Sequence, residues 1–308
     1  MERITSEGAI PAHLRGGIIA LGNFDGFHLG HQAVVARAVE RARAEGRPVI
    51  VATFDPHPVR LFRPETPFFR LTTLDQRERL FGQAGADAML VFRFNEALAA
   101  KSAEEFVAML TGPLGAAGVV TGEDFTFGKG RGGDIHVLRH LGAAQGFTAE
   151  AVAPVLDEHG EIVSSSRIRD ALVAGDCATA TRLMTRPFAI QGEVIDGDKR
   201  GRTIGFPTAN MLLGSYLRPA YGIYSVRVRL PDERVYAGAA NLGIRPTFDP
   251  PKELLETFLF DFSGSLYGQT LDVALIERLR GEEKFDSLDA LVAQMDKDVA
   301  RAREILGA

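Results

Sequence analysis

The sequence predicts an α/β domain followed by a small antiparallel β domain. The first half of the chain alternates short apolar runs with longer segments of helical periodicity, which is the pattern of a parallel sheet with crossover helices. The second half alternates strand-like runs with glycine-rich turns. A length of 308 residues exceeds the size at which one core usually keeps growing. We therefore expect two domains, residues 1–185 and 186–308.

The first domain is predicted to be a doubly wound, Rossmann-like parallel sheet. Its strand-like runs lie at residues 18–21, 49–54, 88–92, 118–120 and 149–155. Helical patterns lie at about 30–45, 73–84 and 102–111, with two short ones at 165–174 and 176–184. Strands that alternate with helices place helices on both faces of the sheet. The boundary is set at 185 because Arg186 precedes a proline, which disfavours helix there.

The second domain is predicted to be a small antiparallel β-barrel with a terminal helix. Its strand-like runs are FAIQGEVI, YGIYSVRVRL, RVYAGAANLG, LLETFLFDF and QTLDVALIERL. In the last twenty or so residues, apolar side chains recur at helical spacing: Leu288, Leu291, Val292, Met295 and Val299. This helix is expected to cap the barrel with one apolar face. A dimerising coiled coil is disfavoured because the pattern spans fewer than three heptads.

Composition excludes several classes of protein. A formal net charge of -5 argues against a nucleic-acid binder, which usually carries a strongly basic domain. The single cysteine, Cys177, cannot form an intrachain disulfide, and the polar N-terminus has no secretory signal. No apolar stretch approaches the roughly 18 residues that a bilayer span needs. A cytoplasmic location without nucleic-acid or membrane partners is expected, and the sequence leaves the oligomeric state open.

A glycine-rich turn, GNFDGFHLGH, follows the first strand-like run at residues 22–31. Glycines allow close backbone approach, and the N–H groups of a helix N-terminus attract phosphate. His28 and His31 are three apart, so their rings share a face if both lie in the first helical turn. The pair could instead be surface residues or an incidental metal site. Zinc is disfavoured because no glutamate or third ligand stands at the required spacing.

The segment GEVIDGDKRGRTIGFPTAN, residues 192–210, combines glycines with basic residues in an acidic protein. It could be a solvated basic hairpin. Thr208 and Asn210, however, are two apart on a predicted strand and therefore face the same side. Their hydroxyl and amide oxygens are suitable ligands for Mg²⁺, which prefers oxygen donors and substrate phosphates.

These motifs resemble those of the bacterial bifunctional riboflavin kinase/FAD synthetase family. The turn at 22–31 is similar to the H-x-G-H nucleotidyltransferase motif, and it is followed in order by TFDPHP, TGEDFTFGKGRGG and SSSRIR. The segment ending in FPTAN is similar to the riboflavin kinase motif, followed by NLGIRPTF, ETFLFDF and LYGQTL. The resemblance covers nearly the whole chain. It implies an enzyme that makes FMN from riboflavin and ATP, and FAD and pyrophosphate from FMN and ATP.

The resemblance also implies roles for individual residues. Catalysis would involve Glu256, as the base for the ribityl 5′-hydroxyl, together with His28 and His31. ATP or its phosphates would contact Gly22, Phe24, Asp25, Gly30, Ser164, Ser165, Arg167, Gly201, Arg202, Gly205, Thr208 and Asn210. The flavin would contact Pro56, Asp124, Phe125 and Arg245. Mg²⁺ would be held by Thr208 and Asn210.

Three positions depart from the family pattern. Phe258 stands where family members commonly have histidine, and Phe27 and Leu29 stand where valine and arginine are frequent. We interpret these departures as changes that adjust activity without abolishing it. Leu29 in place of the basic arginine could weaken the attraction of phosphate. Two other hypotheses are a nucleotidyltransferase with another phosphorylated acceptor and a flavin sensor without catalysis. Glu256 with the FPTAN strand disfavours the former. The latter is disfavoured because the residues that catalysis needs are all present: His28, His31, Thr208, Asn210 and Glu256.

Overall fold

A computed structural model describes residues 1–8, 10–196, 206–245 and 252–308. For Arg245 and Lys252 it describes the backbone alone. The chain forms two compact units, one made of Met1–Pro67 and Thr73–Ser164, and the other of Phe68–Thr72 and Ser165–Ala308. All residues after Ser164 belong to the second unit, whereas the sequence predicts a domain boundary at 185. That boundary stays a prediction.

The described strands of the first unit form one parallel sheet. They are β1 (Glu2–Thr5), β2 (Ile18–Leu21), β3 (Val49–Asp55), β4 (Ala88–Arg93), β5 (Gly118–Gly122) and β6 (Thr148–Val152). Their order across the sheet is β1-β4-β3-β2-β5-β6, and all pairs are parallel. The sequence predicts five of these strands, and the structure adds β1 at the edge.

Helices cover both faces of this sheet. They are α1 (Leu29–Glu45), α2 (Pro58–Phe62), α3 (Leu74–Gln83), α4 (Glu96–Ala99), α5 (Ala103–Thr111) and α6 (Ile135–Ala143). Successive residues of a strand point to opposite faces. Accordingly Ile18 and Ala20 pack in one core with α1 and Phe81 of α3, whereas Ile19 and Leu21 pack in another with α5 and α6. The predicted doubly wound α/β architecture is confirmed.

The second unit contains an antiparallel sheet. Its described strands are β7 (Phe188–Glu193), β8 (Ala209–Leu212), β9 (Gly222–Arg229), β10 (Val235–Arg245), β11 (Lys252–Leu259) and β12 (Thr270–Arg280). They lie in the order β7-β12-β9-β10-β11-β8. The amide of Ile195, just after β7, donates to the carbonyl of Asn210 on β8 at 2.9 Å. The two outer strands thus meet, as the predicted small barrel requires.

The described residues of the second unit also form three helices: α7 (Ser165–Ala174), α8 (Cys177–Met184) and α9 (Leu288–Leu306). The C-terminal half of α9 packs on the outer face of the sheet, where Ala302 and Leu306 join Ala239 and Phe260. The prediction that one apolar face of this helix covers the barrel is wrong at the start of the helix, where Leu288 is 59% exposed. This exposure places Leu288 outside the contact with the sheet.

A polar contact also holds α9 to the sheet. Arg280 of β12 donates to Asp298 of α9 from Nε at 3.0 Å and from Nη2 at 2.7 Å. The hydrogen bonds to this carboxylate raise the pKa of Arg280. Because the two donors lie in one planar guanidinium, the contact fixes the rotation of the helix as well as its distance. None of the described helices is both long enough and apolar enough to cross a membrane.

Cys177 begins α8 and is buried, with 5% of its surface exposed. Burial raises the pKa of its thiol to about 11. Since the thiolate is the reactive form, we expect a disulfide reagent at pH 8 to label the folded protein roughly 100-fold more slowly than the urea-unfolded chain. Absorbance at 412 nm with Ellman's reagent measures both rates. Equal rates would show that the thiol is accessible in the folded protein.

Candidate active sites

The first candidate site lies where the strand order of the parallel sheet reverses. β2 lies between β3 and β5, and the chain passes from β2 to β3 on one side and from β4 to β5 on the other. In open parallel sheets, ligands bind at such a switch point, outside the carboxyl ends of the strands. The loop after β2, residues 22–28, and the turn after β5, residues 123–125, both leave from this edge.

His28 and His31 come together in this loop. His28 is the N-cap residue of α1, and His31 lies in the first turn of the helix. Their rings stack with centroids 3.7 Å apart and an interplanar angle of 22°. His28 is 6% exposed, and the edge of the Phe24 ring contacts His31 at 5.2 Å between centroids. The shared face expected from the spacing is therefore present, beside the N–H groups of a helix N-terminus.

Close packing explains the glycines of the motif. A Cβ on Gly30 would lie 3.2 Å from Cε1 of His28, and one on Gly22 would lie 3.1 Å from the ring of Phe24. Asp25, between these positions, is buried and forms an ion pair with Arg77 of α3 at 3.0 Å. The loop thus has little room for larger residues.

The predicted flavin residues of the first unit lie at neighbouring strand ends. Asp124 and Phe125 follow β5, where the amide of Phe125 donates to the carbonyl of Gly122 at 3.2 Å. The ring of Phe125 stacks at 6.1 Å on Phe127. Pro56 follows β3 and is joined to it by a cis peptide bond. The strands β3, β2 and β5 are adjacent, so these residues belong to the same edge as the histidine pair.

The predicted phosphate residues in SSSRIR fall in both units. Ser164 ends the first unit, whereas Ser165 and Arg167 lie in the first turn of α7 in the second. Their binding of the triphosphate stays a prediction.

The second candidate site is a row of polar residues across three strands of the barrel. Glu256 of β11 is paired directly with Asn210 of β8 on one side and with Asn241 of β10 on the other. Residues paired in this way have side chains on the same face. The next residues along the strands, Leu255 and Met211, are completely buried inside the barrel. The row therefore lies on the outer face.

Two amide oxygens of this row suit a cation. Among the described residues, neither Oδ1 of Asn210 nor Oδ1 of Asn241 accepts a hydrogen bond, although both atoms are buried. A buried acceptor without a donor is costly unless a ligand satisfies it. Thr208 is half-buried and precedes β8 by one residue. The amide oxygen of Asn210 thus fits the predicted Mg²⁺ site, for which Thr208 stays a predicted ligand.

Phe258 takes part in an aromatic cluster next to this row. Its ring contacts Phe206 at 5.3 Å and Phe260 at 5.7 Å, both edge-on. Phe27, the second departure, is buried against Phe81 at 5.1 Å, and Leu29 is the first residue of α1. Gly201, Arg202 and Gly205 lie outside the described residues, as does the side chain of Arg245.

Comparisons with known proteins identify the family of this chain. A family model described as FAD synthetase matches residues 10–167, and one described as riboflavin kinase matches residues 184–306. Bifunctional riboflavin kinase/FMN adenylyltransferases are similar over nearly their whole length. The protein from Pseudomonas fluorescens is 43% identical over 96% of this chain and 94% of its own. The chain belongs to this family.

Further proteins are similar to this chain over a comparable span. The protein from Escherichia coli K12 is 39% identical over 95% of this chain and 93% of its own. A crystal structure of a protein called macrolide-efflux protein, from Streptococcus pneumoniae, shares 33% identity over 97% of both chains with a TM-score of 0.85. The predicted family and its class of function, a bifunctional enzyme of flavin cofactor synthesis that uses ATP, are confirmed.

A second carboxylate on β11, Glu253, is engaged by its neighbours. Arg218 donates to it from Nε at 2.8 Å, and the hydroxyl of Tyr221 also donates to it. The Arg218 hydrogen bond holds the pKa of Glu253 below its usual range, while burial raises the pKa of Tyr221 to about 12. A carboxylate so bound is a poor proton acceptor. Glu253 is therefore poorly suited to act as a base.

Sequence reasoning missed Asn241 as a site residue. It begins the quoted motif NLGIRPTF, but nothing in that motif shows which strand residue stands opposite Glu256. Only the register of β10 against β11 brings Asn241 and Glu256 side by side. Strand register depends on contacts distant in sequence, so the signal was absent from the local pattern.

Proposed function

We propose that the second unit phosphorylates riboflavin and that the first unit adenylylates the FMN so formed. The observation that best supports this division is that the stacked His28 and His31 lie in the first unit, whereas Glu256 lies beside Asn210 in the second. Each unit also matches the family model for one reaction. A cytoplasmic location remains a prediction.

In the kinase reaction, the ribityl 5′-hydroxyl oxygen attacks the γ-phosphorus of ATP. The bond from this phosphorus to the bridging oxygen breaks, and ADP leaves. Glu256 accepts the proton of the hydroxyl, a role in which a positioned carboxylate contributes about 10²–10⁴-fold. Because β8, β10 and β11 are hydrogen-bonded strands, the base is held on a rigid surface.

Thr208 and Asn210 would hold Mg²⁺ beside this base. The ion would neutralise negative charge on the ATP phosphates, which is its general contribution to phosphoryl transfer. Gly201, Arg202 and Gly205 would complete the phosphate contacts and Arg245 would contact the flavin; all four assignments rest on the motifs.

In the adenylyl transfer, a phosphate oxygen of FMN attacks the α-phosphorus of ATP, and pyrophosphate leaves. The nucleophile belongs to the substrate, so the protein supplies position and charge stabilisation. His28, His31 and the first N–H groups of α1 would donate hydrogen bonds to the phosphates. Gly22, Phe24, Asp25 and Gly30 would shape this loop around them.

The remaining predicted residues would bind the rest of the two substrates. Ser164, Ser165 and Arg167 would bind the triphosphate, the arginine through its forked donors. Asp124, Phe125 and Pro56 would line the flavin pocket at the same sheet edge as the histidines. An aromatic ring such as that of Phe125 suits the flat isoalloxazine ring system.

Removal of one proposed metal ligand provides a test within a single chain. We expect Asn210→Ala to raise the Mg²⁺ concentration for half-maximal FMN formation by about 10- to 100-fold, the range seen when metal sites lose a supporting group. Mg²⁺ titrations of both reactions measure this. FAD formation from supplied FMN, in the other unit, is the matched control. Equal shifts in the two titrations, or no shift in either, would contradict the assignment.

Product analysis tests the proposed function itself. Purified protein with riboflavin, ATP and Mg²⁺ should form FMN first and FAD afterwards, with one pyrophosphate released per FAD. Separation of the flavins by reversed-phase chromatography at successive times shows the order. FMN that accumulates without FAD would refute the assignment of the first unit, and no phosphorylation of riboflavin would refute that of the second.

A further inference from the structure

A buried arginine links the loop after β2, residues 22–28, to the body of the first unit. Arg77 of α3 is 2% exposed, and its Nη2 donates to Oδ1 of Asp25 at 3.0 Å. Its Nη1 donates to the hydroxyl of Thr53 on β3 at 3.1 Å. That hydroxyl in turn donates to the carbonyl of Asn23 at 2.7 Å. The guanidinium therefore ties two points of the loop to the sheet.

The loop has a backbone that needs such support. Phe24 and Phe27 have φ angles of 50° and 41°, values that residues with a side chain seldom adopt. Such conformations persist where their surroundings fix them. Phe81 packs against both rings at 5.7 and 5.1 Å. Because Phe81 stands four residues after Arg77 on α3, one face of this helix supplies both contacts.

The support extends to the histidines. Phe24 is the residue between Asn23 and Asp25, the two loop positions held through Arg77, and its ring edge contacts His31. His31 stacks on His28. A shift of the loop would therefore move the imidazoles. Arg77 also compensates the negative charge of Asp25, which lies close in sequence to the N-terminus where phosphates would bind.

We infer that Arg77 is a positioning residue for adenylyl transfer, acting by fixing the loop that carries His28 and His31. This rests on the proposed function of the first unit. The planar guanidinium of Arg77 donates to Asp25 from one nitrogen and to Thr53 from another. A lysine has a single nitrogen, so it could keep the charge beside Asp25 but could not also bind Thr53 in the same geometry. The role is thus one of orientation as well as charge.

The test compares Arg77→Met and Arg77→Lys with Arg41→Met. Arg41 is another buried arginine of the first unit, paired with Glu45 and Glu150, and stands ten residues beyond His31 on α1, about 15 Å along the helix. Its replacement controls for the loss of a buried ion pair. The readouts are kcat and KM for FMN at saturating Mg²⁺–ATP, FMN formation from riboflavin, and the Tm.

We expect Arg77→Met to lower kcat for FMN adenylylation by about 10- to 100-fold, the cost of a small misplacement of reacting groups. KM for FMN and the rate of FMN formation should change by less than about threefold. Arg77→Lys should lower kcat less than Arg77→Met does, and Arg41→Met should lower the Tm while keeping kcat.

The inference is overturned if Arg77→Met keeps the wild-type kcat, or if Arg41→Met loses as much kcat as Arg77→Met does. If Arg77→Met does not fold, Arg77→Lys decides: an unchanged kcat in that variant overturns the inference. Failure of the proposed function has a different signature, since wild-type protein would then form no FAD from FMN.

Discussion

Replacement of Glu256 by alanine is expected to lower FMN formation by about 10²–10⁴-fold, because the ribityl hydroxyl then lacks its proton acceptor. Glu256→Gln should lower FMN formation as far, since an amide of the same shape is no base. Both variants should still convert supplied FMN into FAD at the wild-type rate. Initial rates with riboflavin and with FMN as separate substrates measure the two effects.

Glu277→Gln is the matched control for this prediction. Glu277 is on β12 of the same sheet, and its side chain is 50% exposed, 3.8 Å from Arg301. Its loss should leave both reactions unchanged. If Glu256→Gln retained riboflavin phosphorylation near the wild-type level, Glu256 would not be the base, and the row of Asn210, Glu256 and Asn241 would need another explanation.

The double variant His28→Ala/His31→Ala should stop the pathway at FMN. Loss of a preorganised donor to developing charge typically costs about 10²–10³-fold, and the stacked rings supply two such groups. Riboflavin phosphorylation should proceed as in the wild type. Flavin chromatography after incubation with riboflavin and ATP would then show FMN alone.

His136→Ala/His140→Ala controls for removal of two histidines from the first unit. Both residues are exposed on α6, four positions apart. This control should form FAD normally. If it lost FAD formation as fully as the His28 and His31 variant, the effect would reflect damage to the unit rather than the chemistry of the loop.

The sequence predicts the interior of the fold better than its edges. The observed β2 spans the predicted residues 18–21, and α1 begins one residue before its prediction. Buried strands and long helices carry strong apolar patterns. β1 carries no such pattern, because ERIT is largely exposed and joins the sheet through backbone pairing with β4. Its local sequence therefore gives little indication of a strand.

The residues of the candidate sites also differ in how well the sequence predicts them. His28 and His31 are close in sequence, as are Thr208 and Asn210, so local motifs predict them. Arg77 and Asn241 become apparent only in the structure. Arg77 is 52 residues from its partner Asp25, and Asn241 meets Glu256 through strand register. Tertiary packing makes these contacts, and no short pattern encodes them.

In the proposed function, one chain holds two separable sites that share FMN as their intermediate. Mixing the Glu256→Ala protein with the His28→Ala/His31→Ala protein tests this most directly, with riboflavin, ATP and Mg²⁺ supplied and FAD measured over time. We expect neither variant alone to form FAD and the mixture to form it, after a lag while FMN accumulates. A mixture that builds up FMN without FAD, or a Glu256→Ala protein that cannot adenylylate supplied FMN, would contradict the claim.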